Sequence, residues 1–325
     1  MGRAFQGALF APILLIAATA ASFAADCPPL TMVNSIPITV QNSRILVPVT
    51  LNGAKATFML DTGGAVSQIA PTVAHGLKLP IIPDVGKLID LYGYASTEEA
   101  SVTLGLGRLQ DRTATLHLST RDFDKREGFD GILAGDYMGA YDTELDLAGG
   151  KLNYFSKDHC DGKVIYWRAA AIAAVPMVYR DGHIQVTATI NGKEVRAIID
   201  TGAPYTSLKA DAAKRLFGVT QDSEGNIASR AIDGKKEFLH VFDTLGLEGI
   251  AVSKPRISIM PDLVGSHDVN NDYETGSRVH RVDEDQDDPP LIIGMNVISK
   301  LRLFIAFGEK KIYVTPPGQS PDKTN

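Results

Sequence analysis

Short apolar runs dominate the chain, and they come twice in the same order. Residues 45–51 are rich in Val, Ile and Leu and stop at Asn52-Gly53; residues 184–190 stop in the same way at Asn191-Gly192. Asn-Gly between apolar runs is a strong hairpin signal, because both residues tolerate the positive φ of a tight turn. The returning strands, 54–60 and 193–199, lead directly into Asp-Thr-Gly. Residues 71–79 and 210–217 have weak helical character and predict one short helix each. Leu116-His117-Leu118 and Ile257-Ser258-Ile259 alternate as half-buried strands do.

The two series superimpose. Ile36-Pro37 lies over Val175-Pro176, and Asp61-Thr62-Gly63 over Asp200-Thr201-Gly202, at a constant offset of 139 residues. Residues 103–106 fall on 244–247 at an offset of 141. Ile132-Leu133-Ala134 falls on Ile292-Ile293-Gly294, Asp136 on Asn296 and Leu152 on Ile312 at an offset of 160. The chain therefore reads as a duplicated β unit, 25–156 and 175–316, with 19 extra residues late in the second copy. A polar and then alanine-rich, helix-favouring connector, 157–174, joins the copies, and a tail, 317–325, follows them.

Composition removes several alternatives. The 325 residues are 44% hydrophobic and 22% charged, with 30 Gly and 17 Pro; this is a turn-rich globular make-up, not a disordered or collagenous one. A net charge of −6 offers no basic face to nucleic acid. Residues 1–24 combine Arg3, an apolar run over 8–21 and small residues at 22–24, the pattern of a signal peptide cleaved near Ala24. That run is too short to span a membrane comfortably. The expectation is an exported, periplasmic or secreted protein without stable membrane insertion.

Export permits a disulfide between Cys27 and Cys160. The alternative, Cys160 as a nucleophile beside His159, is disfavoured because adjacent residues rarely present a working pair. Residues 265–290 hold eight acids against two arginines, at the place of the extra residues, and read as a solvated acidic insertion. The seven His lack His-x3-His or His-Glu-x-x-His spacing. No dinucleotide or phosphate-loop motif occurs. Neither metal nor cofactor is expected.

Asp at the end of an apolar strand, followed by Thr-Gly, puts a carboxylate on a tight turn. If the copies pack about a pseudo-two-fold axis, Asp61 and Asp200 face each other. Two unit charges ~3 Å apart repel by roughly 5 kcal/mol at an effective dielectric near 20, enough to hold one proton between them across a wide pH range. Such a pair is a matched acid and base. One carboxylate draws a proton from a water between them while the other donates to a carbonyl oxygen.

Leu60-Asp61-Thr62-Gly63 and Ile199-Asp200-Thr201-Gly202, each with a later apolar-apolar-small strand, resemble the retropepsin/pepsin group of aspartic proteases. The closer likeness is to two retropepsin-like domains fused in one exported bacterial-type chain, over about 36–154 and 175–314. The resemblance implies an all-β, bilobal pepsin/retropepsin-like double-domain β-barrel fold with short helices and pseudo-two-fold symmetry. It implies an aspartic endopeptidase of the cell envelope, acting as a monomer on extended peptide or protein. Asp61 and Asp200 would be catalytic, and Thr62, Gly63, Thr201 and Gly202 would support the active-site loops, with the threonines interlocked. A hairpin flap is best matched at Tyr92-Gly93 and Asp233-Gly234.

Two departures stand out. Ala134 replaces the small Gly of the second motif, which is expected to push a packed loop. Gly64 and Ala203 offer no hydroxyl to the carboxylates, which implies an optimum nearer mild acid or neutrality than that of digestive enzymes. The alternative reading is a catalytically inactive peptide-binding protein of the envelope with the same fold, and Ala134 is its motif-level argument.

Overall fold

The computed structural model describes residues 2, 27–83, 88–89, 95–109, 112–120, 122–123, 125–232, 235–261 and 289–317. The expected signal peptide (Gly2 apart), nearly all of the acidic insertion 265–290 and the tail beyond residue 317 lie outside the described residues. Among the described residues, no helix is long and apolar enough to cross a membrane.

Both Asn-Gly turns form. Asn52 and Gly53 take φ of 51° and 82°, and Asn191 and Gly192 take 48° and 79°, the positive values that a two-residue hairpin needs. They set the register, Leu51 opposite Ala54 and Ile190 opposite Lys193. A slip of one residue would turn Val47, Val49 and Leu51 out of the core, where all three are now buried. Each returning strand then lies parallel to a later one: Ala54–Leu60 to Gly131–Leu133, and Lys193–Ile199 to Leu291–Ile293. The short helices Pro71–Gly76 and Ala210–Phe217 follow the Asp-Thr-Gly turns. Each copy folds around its own sheet, and the fold is all-β and bilobal.

The second copy's sheet reaches into the first and joins them. Met32–Pro37, Lys151–Phe155 and Asp142–Asp146 of the first copy continue into Arg302–Ala306, Lys311–Thr315 and Ala173–Arg180 of the second. At the join Thr143 faces Ile305, Glu144 faces Phe304 and Leu145 faces Leu303. Under the 160-residue offset Glu144 and Phe304 are equivalent positions, so the pseudo-two-fold axis passes between them. The buried Glu144 is paired with Arg302, 2.5 Å away, and accepts hydrogen bonds from Asn153 (2.8 Å) and Tyr166 (2.6 Å). Its charge is thereby satisfied, as burial requires.

The connector departs from its helical propensity. Its final alanines pair as the strand Ala173–Arg180 with Lys311–Thr315, because a short alanine run gains little as an isolated helix while the strand completes the shared sheet. Cys27 and Cys160 are joined in a disulfide across 133 residues. Cys160 is therefore not a thiol, and His159 is engaged elsewhere, 2.6 Å from the buried Asp142 carboxylate.

Candidate active site

The two Asp-Thr-Gly turns meet at the pseudo-two-fold axis and are locked reciprocally. The Thr62 hydroxyl donates to the Ile199 carbonyl at 2.6 Å and accepts from the Thr201 N–H at 3.0 Å. The Thr201 hydroxyl donates to the Leu60 carbonyl at 2.7 Å and accepts from the Thr62 N–H at 3.1 Å. Both threonines are fully buried. Each hydroxyl satisfies two backbone groups of the opposite copy, so neither turn is complete alone.

The glycines bring the carboxyls together. A Cβ on Gly63 would lie 2.2 Å from the Asp200 carboxyl carbon, and one on Gly202 would lie 2.4 Å from that of Asp61. Any side chain at either place would occupy the space of the opposite carboxyl group. The Asp61 Oδ1 accepts from the Gly63 and Gly64 N–H groups at 3.0 and 2.9 Å. The Asp200 Oδ1 accepts from Gly202 and Ala203 at 2.8 and 3.1 Å. Backbone donors thus orient one oxygen of each carboxyl and leave the other for the partner.

Burial pushes the Asp61 carboxyl well above the ordinary carboxylate range, and the Asp200 charge and hydrogen bond push it further. Burial also raises Asp200, but the hydrogen bond from Asp61, the Gly202 and Ala203 N–H groups and the charge of His183 hold it back. Both carboxyls are thus raised and coupled, the condition under which a pair of acids holds one proton between them. His183 was missed from sequence. It follows the turn Asp181-Gly182, which reaches across to the first copy: a Cβ on Gly135 would lie 1.9 Å from the Gly182 carbonyl oxygen. At the offset of 139 its counterpart is Arg44, which pairs with Glu127 at 2.7 Å.

A second tier supports each turn, and this too escaped the sequence. The Ser67 hydroxyl donates to Asp136 at 2.6 Å and accepts from the Ala134 N–H at 2.9 Å. In the other copy the Thr206 hydroxyl donates to Asn296 at 2.8 Å and accepts from the Gly294 N–H at 3.1 Å. Burial raises the Asp136 carboxyl, against the Ser67 hydrogen bonds that hold it down. The only hint was that Ser67 aligns with Thr206 and Asp136 with Asn296.

The candidate flap residues Tyr92, Gly93, Asp233 and Gly234 lie outside the described residues. The strands around them are antiparallel, Leu88–Ile89 with Ala95–Ser96 and Ile227–Ile232 with Lys235–Val241. Among the described residues no group of three His, Cys, Asp or Glu is placed to hold a metal.

Two equivalent β units, each bringing one carboxyl to a common centre, define a bilobal all-β aspartic-protease fold. The family model described as aspartyl protease matches residues 47–131 and 186–297, once in each copy and over more than half of the chain. The chain belongs to the aspartyl protease family. Among curated proteins nothing matches it.

Proposed function

We propose that the chain is an aspartic endopeptidase whose nucleophile is a water held between Asp61 and Asp200. Asp200 is the base, because Asp61 and His183 both favour its ionised form. Asp61 carries the proton. The water oxygen attacks the peptide carbonyl carbon, its proton passes to Asp200, and Asp61 protonates the carbonyl oxygen. Collapse of the resulting gem-diol returns a proton to Asp61, while Asp200 protonates the leaving nitrogen as the C–N bond breaks. The dyad ends as it began.

The observation that carries this reading is the reciprocal fit of each motif glycine against the opposite carboxyl. Such a fit holds two carboxyls at one centre, as a dyad sharing a proton requires. The proposal extends to a monomer with both half-sites in one chain, working outside the reducing cytoplasm, for which the Cys27–Cys160 bond is support.

The test is hydrolysis of a diverse peptide pool by the mature chain across pH 3 to 8, beside Asp61→Asn and Asp200→Asn. Cleavage lost in either variant supports the shared dyad. A parent that cleaves nothing points to the peptide-binding alternative. Since both carboxyls are raised, the optimum is expected between mild acid and neutrality, and a rate maximum near pH 2 contradicts it.

A further inference from the structure

Beyond the dyad, the C-terminal copy holds a recess of about 660 Å3 that starts at Pro204 and Tyr205 and carries Lys254, Arg256 and Lys300 on its walls. Pro204 and Tyr205 are the fourth and fifth residues after Asp200, in the loop whose Ala203 N–H binds the Asp200 carboxyl. Four or five residues of chain reach at most about 13–18 Å. An extended peptide advances about 3.3 Å per residue, so a recess within that span of Asp200 is in reach of a side chain three to five residues from the scissile bond.

Its charge is cationic. Among the described residues three basic side chains line it against one carboxylate, Glu237, which is buried and accepts a hydrogen bond from Ser258. Lys254 contacts Asp243 at 2.5 Å, but both side chains are 71% exposed, and a pair so open to water is easily exchanged. Arg256 and Lys300 make no ion pair among the described residues. Tyr205 and Leu239 supply apolar wall beside them, which strengthens the local field.

The feature belongs to one half only. At the repeat offsets Lys254, Arg256 and Lys300 correspond to Thr113, Thr115 and Ala140. The strand register supports this correspondence: Ser207 faces Ser258 as Gln68 faces His117, again 139 and 141 residues apart. Asn296 on the recess wall corresponds to Asp136. The three cations are therefore an addition to the C-terminal half, not part of the framework the copies share.

We propose that this recess is a specificity subsite for an acidic side chain of an extended peptide substrate, three to five residues from the scissile bond and on one side of it only. Arg256 offers a planar fork that matches a carboxylate, with the lysines as supporting point charges. The proposal rests on the peptidase reading above.

The test uses peptides of one scissile sequence in which Glu or Gln is walked through the third, fourth and fifth positions on either side. In the parent, Glu is expected to raise kcat/KM about tenfold over Gln on one side and not on the other. That ratio falls toward one at high salt and in Arg256→Ala/Lys300→Ala, and Lys becomes preferred in Arg256→Glu/Lys300→Glu. Equal rates for Glu and Gln at every position, or a preference that survives both double variants, overturns the subsite while hydrolysis of the Gln peptides keeps the peptidase reading intact. If the parent cleaves no peptide, calorimetric binding of the same set to Asp200→Asn decides: tighter binding of Glu peptides upholds the recess, and equal binding overturns it.

Discussion

Behind Asp200, Ala203 packs beside Gly294; behind Asp61, the same two places hold Gly64 and Ala134. One methyl group has moved from one wall of the turn to the other. In the C-terminal half a Cβ on Gly294 would lie 2.6 Å from the Tyr205 carbonyl oxygen and 2.7 Å from that of Ala203. In the N-terminal half a Cβ on Gly64 would lie 3.1 Å from the Asp61 Oδ2 and 3.3 Å from the Ala134 Cβ, so a methyl at position 64 would crowd both. The backbone is nearly the same, with φ and ψ of −104° and −170° at Ala134 and −98° and −177° at Gly294. The Asp61 N–H still meets the Leu133 carbonyl at 2.9 Å, as the Asp200 N–H meets that of Ile293. The push expected from Ala134 does not displace the aspartate turn, whose backbone contacts match those of its counterpart.

The comparison is broken most severely where no exchange is allowed. Gly63→Ala or Gly202→Ala puts a methyl into the opposite carboxyl, and each is expected to cut kcat/KM by at least about 10²-fold, read on a peptide the parent cleaves. Thr62→Val or Thr201→Val leaves one buried N–H and one buried carbonyl of the opposite half unsatisfied. Either should cost about 2–4 kcal/mol in urea unfolding. Their interlock makes the losses non-additive in a double-mutant cycle.

A smaller effect sharpens the methyl exchange. Gly64→Ala alone crowds Ala134 and should cost about 1–3 kcal/mol, whereas Gly64→Ala combined with Ala134→Gly rebuilds the C-terminal arrangement and should recover most of it, by thermal unfolding. The smallest concerns Asp136, which does with a carboxyl what Asn296 does with an amide. Since burial raises Asp136, its stabilising contribution is complete below the unfolded value near ~3.9 and is lost as pH rises through the folded one. Asp136→Asn should therefore gain on the parent in unfolding free energy as pH rises from 3 toward 7, and an unchanging difference contradicts that account.

Local signals carried much of this into the sequence. The Asn-Gly turns set both hairpins, and strands 54–60 and 193–199 end where the pattern placed them, because turn chemistry and apolar alternation act over neighbouring residues. The contacts that needed tertiary structure were harder to read. Ser67 meets Asp136 across 69 residues and Thr206 meets Asn296 across 90, and only their matched places in the repeat connect them. Ser258 looked like the outward residue of an alternating strand, yet it is buried and bonded to Glu237. The cations of the recess come from segments on either side of the acidic insertion, so no run or spacing announced them. The connector's alanines favoured helix locally, yet the last two, Ala173 and Ala174, pair with a distant strand.

The central claim is that the two half-sites make one protonated dyad, and carboxyl 13C NMR titration of labelled mature protein tests it most directly. The account expects the Asp61 and Asp200 resonances to titrate together as a coupled pair, with a proton retained well above the usual aspartate value near ~3.9. In Asp200→Asn, Asp61 should titrate in a single step, released from its partner's charge. Two independent titrations near the ordinary value in the parent would contradict it.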